Sequence, residues 1–281
     1  MRGKRSIGTG LLLVALGFAG FPAHAQGESL ASAIRCPLEP GRSSFEISVG
    51  GNARKVEVEI GPKAGKDGPA PVVFAWHGWG GDARNQLAAL RAKKYWPEAV
   101  VVAPQGLARR FPGGGRARPG WQISSGEFND RDVRLFDALV LELSKRDCLD
   151  ATRFVSSGFS NGGYFSNLLG CRRGRVLAAI APVGSGGPYE SCETPVAAWI
   201  AHGKSDRIVR LRDGEASFLA WQERNGCAEK KTGSEGCVEA QACRRETVLC
   251  TFDGGHFWPH HLTADWARFL RDQRQPAAKQ P

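Results

Sequence analysis

Apolar and polar positions alternate over SFEISV (44–49) and again over KVEVEI (55–60), with Gly50-Gly51-Asn52 between them. A period of two on both sides of a glycine turn predicts an antiparallel hairpin with one face buried. Further along the pattern changes. PVVFAWHG (71–78), AVVVAPQG (99–106), RFVSSGFS (153–160), VLAAIAPVG (176–184), PVAAWIAHG (195–203) and ETVLCTFDGG (246–255) are mostly continuous apolar runs. Such runs suit strands buried on both faces, as in a parallel sheet. Helical segments are expected between them at 82–93, 130–145, 161–171, 213–225 and 262–273. The second is the clearest, with Val133, Leu135, Phe136, Leu139, Leu141 and Leu143. A hairpin followed by alternating strands and helices predicts an eight-stranded, mostly parallel, doubly wound α/β sheet flanked by helices. The segment 107–128 reads as a long loop rich in Gly and Arg. The segment 229–245 reads as a polar excursion stapled by its cysteines.

The ends of the chain change this picture slightly. Arg2, Lys4 and Arg5 precede a short apolar run at 11–21, and Ala23-His24-Ala25 has the small-x-small form of a cleavage site. Residues 1–25 therefore read as a secretory signal peptide, residues 26–275 as one domain and residues 276–281 as a disordered tail. After removal of the signal, no integral membrane segment is expected. All eight cysteines (Cys36, Cys148, Cys171, Cys192, Cys227, Cys237, Cys243 and Cys250) follow the cleavage point. In an exported chain their even number predicts disulfides. No C-x-x-C pair occurs, so no metal site is expected, and nothing calls for a cofactor. The formal charge of +10 favours acidic polysaccharide or an envelope surface over nucleic acid, though ordinary solubility accounts for it equally well.

Candidate chemistry gathers at the carboxyl ends of the expected parallel strands, where loops converge on a crevice. Gly158-Phe159-Ser160-Asn161-Gly162 fits G-x-S-x-G at a strand-to-helix junction, a sharp turn that exposes a serine hydroxyl. Ser160 is the expected nucleophile. His256, after the last strand in DGGHFWP, is the expected base, with His260 and His261 as alternatives; His77 and His202 read as structural. Asp206, in IAHGKSDRIV, is the expected acid, and Asp213 is its alternative, which would otherwise cap the next helix. The order Ser160, Asp206, His256 is that of α/β-hydrolases. The backbone amides of Trp79, in HGWGGD, and of Asn161 are the expected oxyanion donors. Trp79 and Trp258 are expected to line the substrate cleft. Only about ten residues separate the strand ending near Gly184 from the next, which leaves no room for a large cap domain.

With these residues in view, the chain resembles the secreted feruloyl esterase and poly(3-hydroxybutyrate) depolymerase-like family of α/β-hydrolases. The resemblance rests on HGWGGD, on VVAPQG followed by GWQ, and on NDRDVRLFDALVLEL. It continues through CLDATRFVSSGFSNGGYFSNLLGC, IAPVGS, HGKSDRIV and GGHFWP, covering roughly residues 36–258. It implies ester hydrolysis through an acyl-enzyme, with Ser160 as nucleophile, Asp206 as acid and His256 as base. The implied activity is that of an exported serine carboxylesterase on aryl or polysaccharide-linked esters. A polyester depolymerase is the alternative, and a non-catalytic carbohydrate-binding envelope protein a more distant one. The family often continues GGHTWPG where this chain reads GGHFWPHH, a change beside the base. Cys148 precedes the serine strand, and Cys171 ends the helix that runs back beside it, so these two are expected to pair. Cys237–Cys243 and Cys227–Cys250 follow as expectations, leaving Cys36–Cys192.

Overall fold

A computed structural model of the chain describes residues 29–111, 114–192, 194–232 and 236–275. The signal peptide read over 1–25 and the tail read over 276–281 lie outside the described residues. A short helix, α1 (Leu30–Ala33), leads into the expected hairpin, β1 (Gly41–Val49) and β2 (Asn52–Ile60). Gly50 and Gly51 take φ of 57° and 78° at its tip. Two consecutive left-handed residues make the turn whose twist matches the flanking strands, and glycine accepts that conformation without steric cost.

The apolar runs then form β3 (Ala70–Trp76), β4 (Val100–Pro104), β7 (Leu149–Phe159), β8 (Ala179–Val183), β9 (Ala197–Gly203) and β12 (Thr247–Phe252). These pair in parallel, in the spatial order β4-β3-β7-β8-β9-β12. Every residue of β3 is buried. Val72, Phe74 and Trp76 pack into one core, with α4 (Arg131–Leu143), α5 (Asn161–Arg172) and α6 (Leu211–Arg224). Val73 and Ala75 pack into the other, with α2 (Ala83–Leu90), α3 (Ala92–Tyr95) and α7 (Thr263–Asp272). A continuous apolar run is therefore needed, because neither face meets water. In α4, Val133, Leu135, Phe136, Leu139 and Leu143 are buried while Leu141 is exposed, the single-face pattern of an amphipathic helix. The segment expected as one helix over 82–93 divides at Arg91, whose φ of 47° interrupts the helical hydrogen bonding between α2 and α3.

All eight expected strands are present, and the sheet is larger than expected. β10 (Glu229–Thr232) and β11 (Cys237–Gln241) continue it beyond β12, giving ten strands in the order β1-β2-β4-β3-β7-β8-β9-β12-β11-β10. The segment 107–128 is also partly ordered as strand. β5 (Leu107–Phe111) and β6 (Gly114–Gly120) form a separate antiparallel pair above the carboxyl end of β4. Both additions are short and rich in charge, so they carry no clear apolar period from which a strand is read.

The expected disulfide pairing is corrected throughout. The bonds are Cys36–Cys148, Cys171–Cys192, Cys227–Cys243 and Cys237–Cys250. The reason Cys148 and Cys171 do not meet lies in the crossover. Cys148 sits on the β3 side of β7, where its carbonyl accepts from Ala70 N at 2.8 Å, and the N-terminal segment delivers Cys36 there. α5 packs over β7 and β8, and the connection 184–196 descends past its end toward β9. Cys171 Sγ comes within 3.3 Å of Ser191 O, so Cys192 on that connection is its partner. Cys237 and Cys250 are directly opposed in the β11–β12 register, and Cys227–Cys243 closes the base of the β10–β11 hairpin. Among the described residues the 184–196 connection holds no helix, and no cap covers the sheet end.

Candidate active site

The chain runs outward from β3 to β4 and then returns to the other side of β3 as β7, so the strand order reverses between β3 and β7. Such a switch opens a crevice at the carboxyl ends of the strands. Ser160 stands there, between the end of β7 and the start of α5, with φ 53° and ψ −120°. A non-glycine residue in that conformation is strained by about 1–3 kcal/mol and persists only where its surroundings fix it. Here they do. Ser160 N donates to Val183 O at 2.8 Å, and Ser160 O accepts from Gly163 N and Tyr164 N. A Cβ on Gly158 would lie 2.2 Å from Gly162 O, and one on Gly162 would lie 2.2 Å from Trp76 O. The two glycines of the pentad are thus required by close backbone contact on both sides of the turn.

Two other strand ends supply the partners. Ser205 N donates to Gly254 O at 2.8 Å and Lys204 N to Phe252 O at 2.9 Å, which ties the turn after β9 to the turn after β12. The tie brings Asp206 beside His256. Asp206 is buried; its Oδ1 accepts from Ile208 N at 2.9 Å and Val209 N at 3.0 Å. Asp206 Oδ2 accepts from His256 Nδ1 at 2.6 Å, and His256 Nε2 lies 2.8 Å from Ser160 Oγ. An ionised carboxylate only accepts, so Nδ1 carries the imidazole proton and Nε2 is free to accept from the serine hydroxyl. The Phe159 ring packs 4.8 Å from the His256 ring and limits its rotation.

The other histidines lie elsewhere. His77 is buried, accepts from Gly106 N at its Nε2 (2.9 Å) and donates from Nδ1 to Gly78 O (2.7 Å). Burial depresses its pKa below the ordinary 6.5, which keeps it neutral. His202 donates from Nε2 to Val209 O at 2.9 Å and so supports the Asp206 turn from below. His260 and His261 are exposed on a short 3-10 turn, where the His261 ring faces Phe252. Asp213 lies in the first turn of α6, beside Gly186 and away from the imidazole.

The wall on the β3–β4 side is built around Trp79. Gly78 lies against the nucleophile turn, since a Cβ there would be 3.4 Å from Ser160 Cβ. Among the described residues neither Trp79 N nor Asn161 N has an intramolecular acceptor. The half-buried Trp79 ring meets Phe111 edge-on at 5.3 Å, and its Nε1 donates to Arg109 O at 3.3 Å. Trp258, expected in the cleft, is corrected to a core position. It is 7 % exposed, packs edge-on against Trp266 of α7 and donates to Thr263. The residue between it and the base, Phe257, is the one that faces solvent.

Besides Asn161, several residues that hold this wall carry no mark as site residues in the sequence, Arg54, Asp132 and Gln122 among them. The Asn161 side chain pairs with the backbone of Trp121, accepting from its N at 2.7 Å and donating to its O at 2.9 Å. Arg54 and Asp132 form a fully buried ion pair at 2.9 Å. Arg54 also donates to Gln105 O, and Asp132 also accepts from Gln122 N. Gln122 Oε1 in turn accepts from Asp132 N and Val133 N at the start of α4. The motifs VVAPQG, GWQ and NDRD are therefore one hydrogen-bonded unit. The signal for it was in those motifs, but the partner in β2, Arg54, has no local mark. The β5–β6 hairpin leaves this unit at Gly106 and returns at Gly120, where a Cβ on Gly106 would lie 2.8 Å from Gly120 N.

On the other side of Ser160, Tyr164 and Tyr189 stack with ring centres 5.9 Å apart. Burial, then the neighbouring Tyr189 hydroxyl, push the Tyr164 pKa well above its ordinary value, so it stays protonated. A cavity of about 440 Å³ lies at the far edge of the sheet, lined by Trp199, Glu239, Val248 and Phe269 among others. It includes none of the residues around Ser160.

Comparison with known proteins agrees with this fold. The chain is 27 % identical over 281 residues to feruloyl esterase D of Neurospora crassa, covering 91 % of each chain. It is 27 % identical over 223 residues to a probable feruloyl esterase C of Aspergillus flavus, covering 73 % of this chain and 77 % of the other. The solved structure of an acetyl xylan esterase from Aspergillus awamori superposes with a TM-score of 0.59 at 14 % identity, over 81 % of this chain and 99 % of that one. No family model matches. The fold is that of the α/β-hydrolases, and the protein is a carboxylic ester hydrolase. The sequence relatives it resembles within that class are named feruloyl esterases.

Proposed function

We propose that the protein is an exported serine esterase that removes aryl acyl groups, feruloyl-like in kind, from polysaccharide through an acyl-enzyme. The observation that carries the mechanism is the Ser160–His256–Asp206 chain of hydrogen bonds, 2.8 Å and 2.6 Å long. Ser160 Oγ attacks the ester carbonyl while His256 Nε2 takes its proton, and Asp206 holds the tautomer and stabilises the imidazolium. The carbonyl oxygen gains negative charge within reach of the Trp79 and Asn161 amides, and each such donor contributes about 10²–10³-fold in rate. His256 then protonates the departing alcohol. Water enters, gives its proton to the same nitrogen and releases the acid from Ser160.

The substrate class is supported by the relatives and by the aromatic side chains flanking the cleft, Trp79 and Phe111 on one side and Tyr164 and Tyr189 on the other. The uncapped sheet end supports access by part of a polymer. Four disulfides with no free cysteine suit an oxidising compartment, and among the described residues no helix is long and apolar enough to cross a membrane.

The test is turnover of methyl ferulate, p-nitrophenyl acetate and 3-hydroxybutyrate oligomers by the purified protein and by Ser160→Ala. Methyl ferulate is expected to be the best of the three, and the variant to be inactive on all. Preference for the hydroxybutyrate oligomers would replace the acyl specificity with that of a polyester depolymerase. Equal turnover by Ser160→Ala would overturn the mechanism.

A further inference from the structure

The β5–β6 hairpin carries charge for which the hydrolytic residues have no use. Residues 107–120 include Arg109, Arg110, Arg116 and Arg118 and no Asp or Glu. Arg109 is buried, donates to Trp121 O and lies 3.6 Å from Glu127. The other three are exposed, and among the described residues none of them has a carboxylate partner. Arg118 faces Arg109 across the hairpin, and its guanidinium sits 5.4 Å over the Trp79 ring.

The arm is held firmly in place. Gly80 N donates to Pro119 O at 2.8 Å, and Trp79 Nε1 donates to Arg109 O. Across Ser160 the charges are mixed. Glu190 accepts from Ser125 and lies 3.9 Å from Arg172, and Asp213 lies beside Gly186 near the tyrosine pair. Cations without a carboxylate partner therefore line the hairpin side of the cleft. The exposed large apolar side chains near the opening, Tyr189, Ile208 and Phe257, lie on the loops after β8, β9 and β12 and not on the hairpin.

We propose that this hairpin is a docking arm for an anionic polysaccharide, whose uronate carboxylates pair with Arg110, Arg116 and Arg118 while an ester on the same chain reaches Ser160. The guanidinium fork matches a carboxylate with two parallel N–H donors, and three on one arm fit a repeating anion better than a single one. A membrane surface fits less well, because an interfacial element needs an apolar face beside its cations and, among its described residues, the arm has no exposed large apolar side chain. The proposal rests on the esterase reading for its reacting bond. It adds the charge of the polymer that bears the ester.

The test compares kcat/KM on a feruloylated oligogalacturonide with that on a feruloylated neutral xylo-oligosaccharide, using the full protein and the variant R110Q/R116Q/R118Q. At low salt the wild-type preference for the anionic substrate is expected to be about tenfold, as three partly screened ion pairs allow. It is expected to collapse when salt is raised to about 0.3 M, and to approach unity in the triple variant. A wild-type ratio near one, or an unchanged ratio in the variant, would overturn the proposal. Binding is followed separately with Ser160→Ala on immobilised polygalacturonate, which needs no turnover. Retention there that the arginine substitutions abolish supports the arm even if the esterase reading fails. Stronger retention on vesicles containing phosphatidylserine than on polygalacturonate would overturn it in favour of a membrane surface.

Discussion

On the β9 and β12 side of the cleft, Asp206 and His256 are placed by turns a few residues long, each stitched to the other by backbone hydrogen bonds such as Ser205 N to Gly254 O. On the β3 and β4 side, the wall that carries Trp79 is placed from a distance. It depends on Asn161 pairing with Trp121, on Gln105 and Gln122, and on an ion pair between β2 and α4 that touches no reacting atom. The first side concentrates chemistry in few residues over little chain. The second spreads its support over 78 residues of separation in the case of Arg54 and Asp132. Substitutions on the first side should remove activity and leave the fold, whereas substitutions on the second should weaken both together.

The largest expected effect is on the turn side. Asp206→Asn keeps an acceptor for Ile208 N and Val209 N but turns the amide group toward His256 Nδ1, favouring the wrong tautomer. The expected loss in kcat is on the order of 10⁴-fold, the size seen for the same change in a serine protease triad. The urea midpoint should stay close to that of the wild type, and a parallel fall in midpoint would contradict the division between the two sides.

Arg54→Met probes the other side by removing the hydrogen-bonded partner of the buried Asp132 and leaving only Arg131, 3.5 Å away, beside it. Breaking such a pair costs about 3–5 kcal/mol in stability, measured as a shift of the urea transition, and turnover should decline with it. The double variant R54M/D132L removes the charge altogether and should regain much of the stability. Failure of the double variant to recover would mean that the remaining hydrogen bonds of Asp132, and not its charge, hold the wall.

The smallest effect is a dependence on pH. His77 is neutral in the folded protein because burial lowers its pKa below 6.5, while in the unfolded chain it protonates near that value. The unfolded state then binds more protons as pH falls, so stability is fully present above about 6.5 and is lost below it, by up to about 1.4 kcal/mol per pH unit until the folded pKa is reached. In His77→Gln that part of the slope should disappear. An identical slope in the two proteins, read from urea midpoints between neutral and mildly acidic pH, would place the sensitivity elsewhere.

The same contrast explains what was legible in the sequence. Ser160, Asp206 and His256 each follow an apolar strand that announces itself by composition, and their order along the chain is a topological rule that needs no distances. The buried pair Arg54–Asp132 has no such mark, since an arginine in an alternating strand reads as a solvent-facing residue. The cysteine pairing differs from the expectation for a related reason. The path of α5 was expected correctly, but the route of the 184–196 connection past Cys171 depends on how that helix packs, which no local pattern encodes. β10 and β11 carry no apolar period in the sequence, since they are short polar segments, and the pairing of β11 with β12 is fixed by the register and the Cys237–Cys250 bridge. Trp258 was misplaced because a tryptophan next to a candidate base looks the same in sequence whether it turns toward the cleft or toward α7.

The near contact of Gly106 with Gly120 gives the β5–β6 arm a neck about one backbone wide. Its outward-facing positions, Arg110 and Arg116 among them, can be recharged without altering how the neck enters the sheet, while Arg109 and Pro119 bond to the body beneath. The serine turn has no comparable freedom, because Gly158 and Gly162 leave no space for even a methyl group. If the proposed docking role holds, the reaction and the choice of polymer belong to separate stretches of chain. A hairpin exchanged at this neck is the smallest graft that would carry one specificity onto another body of this fold.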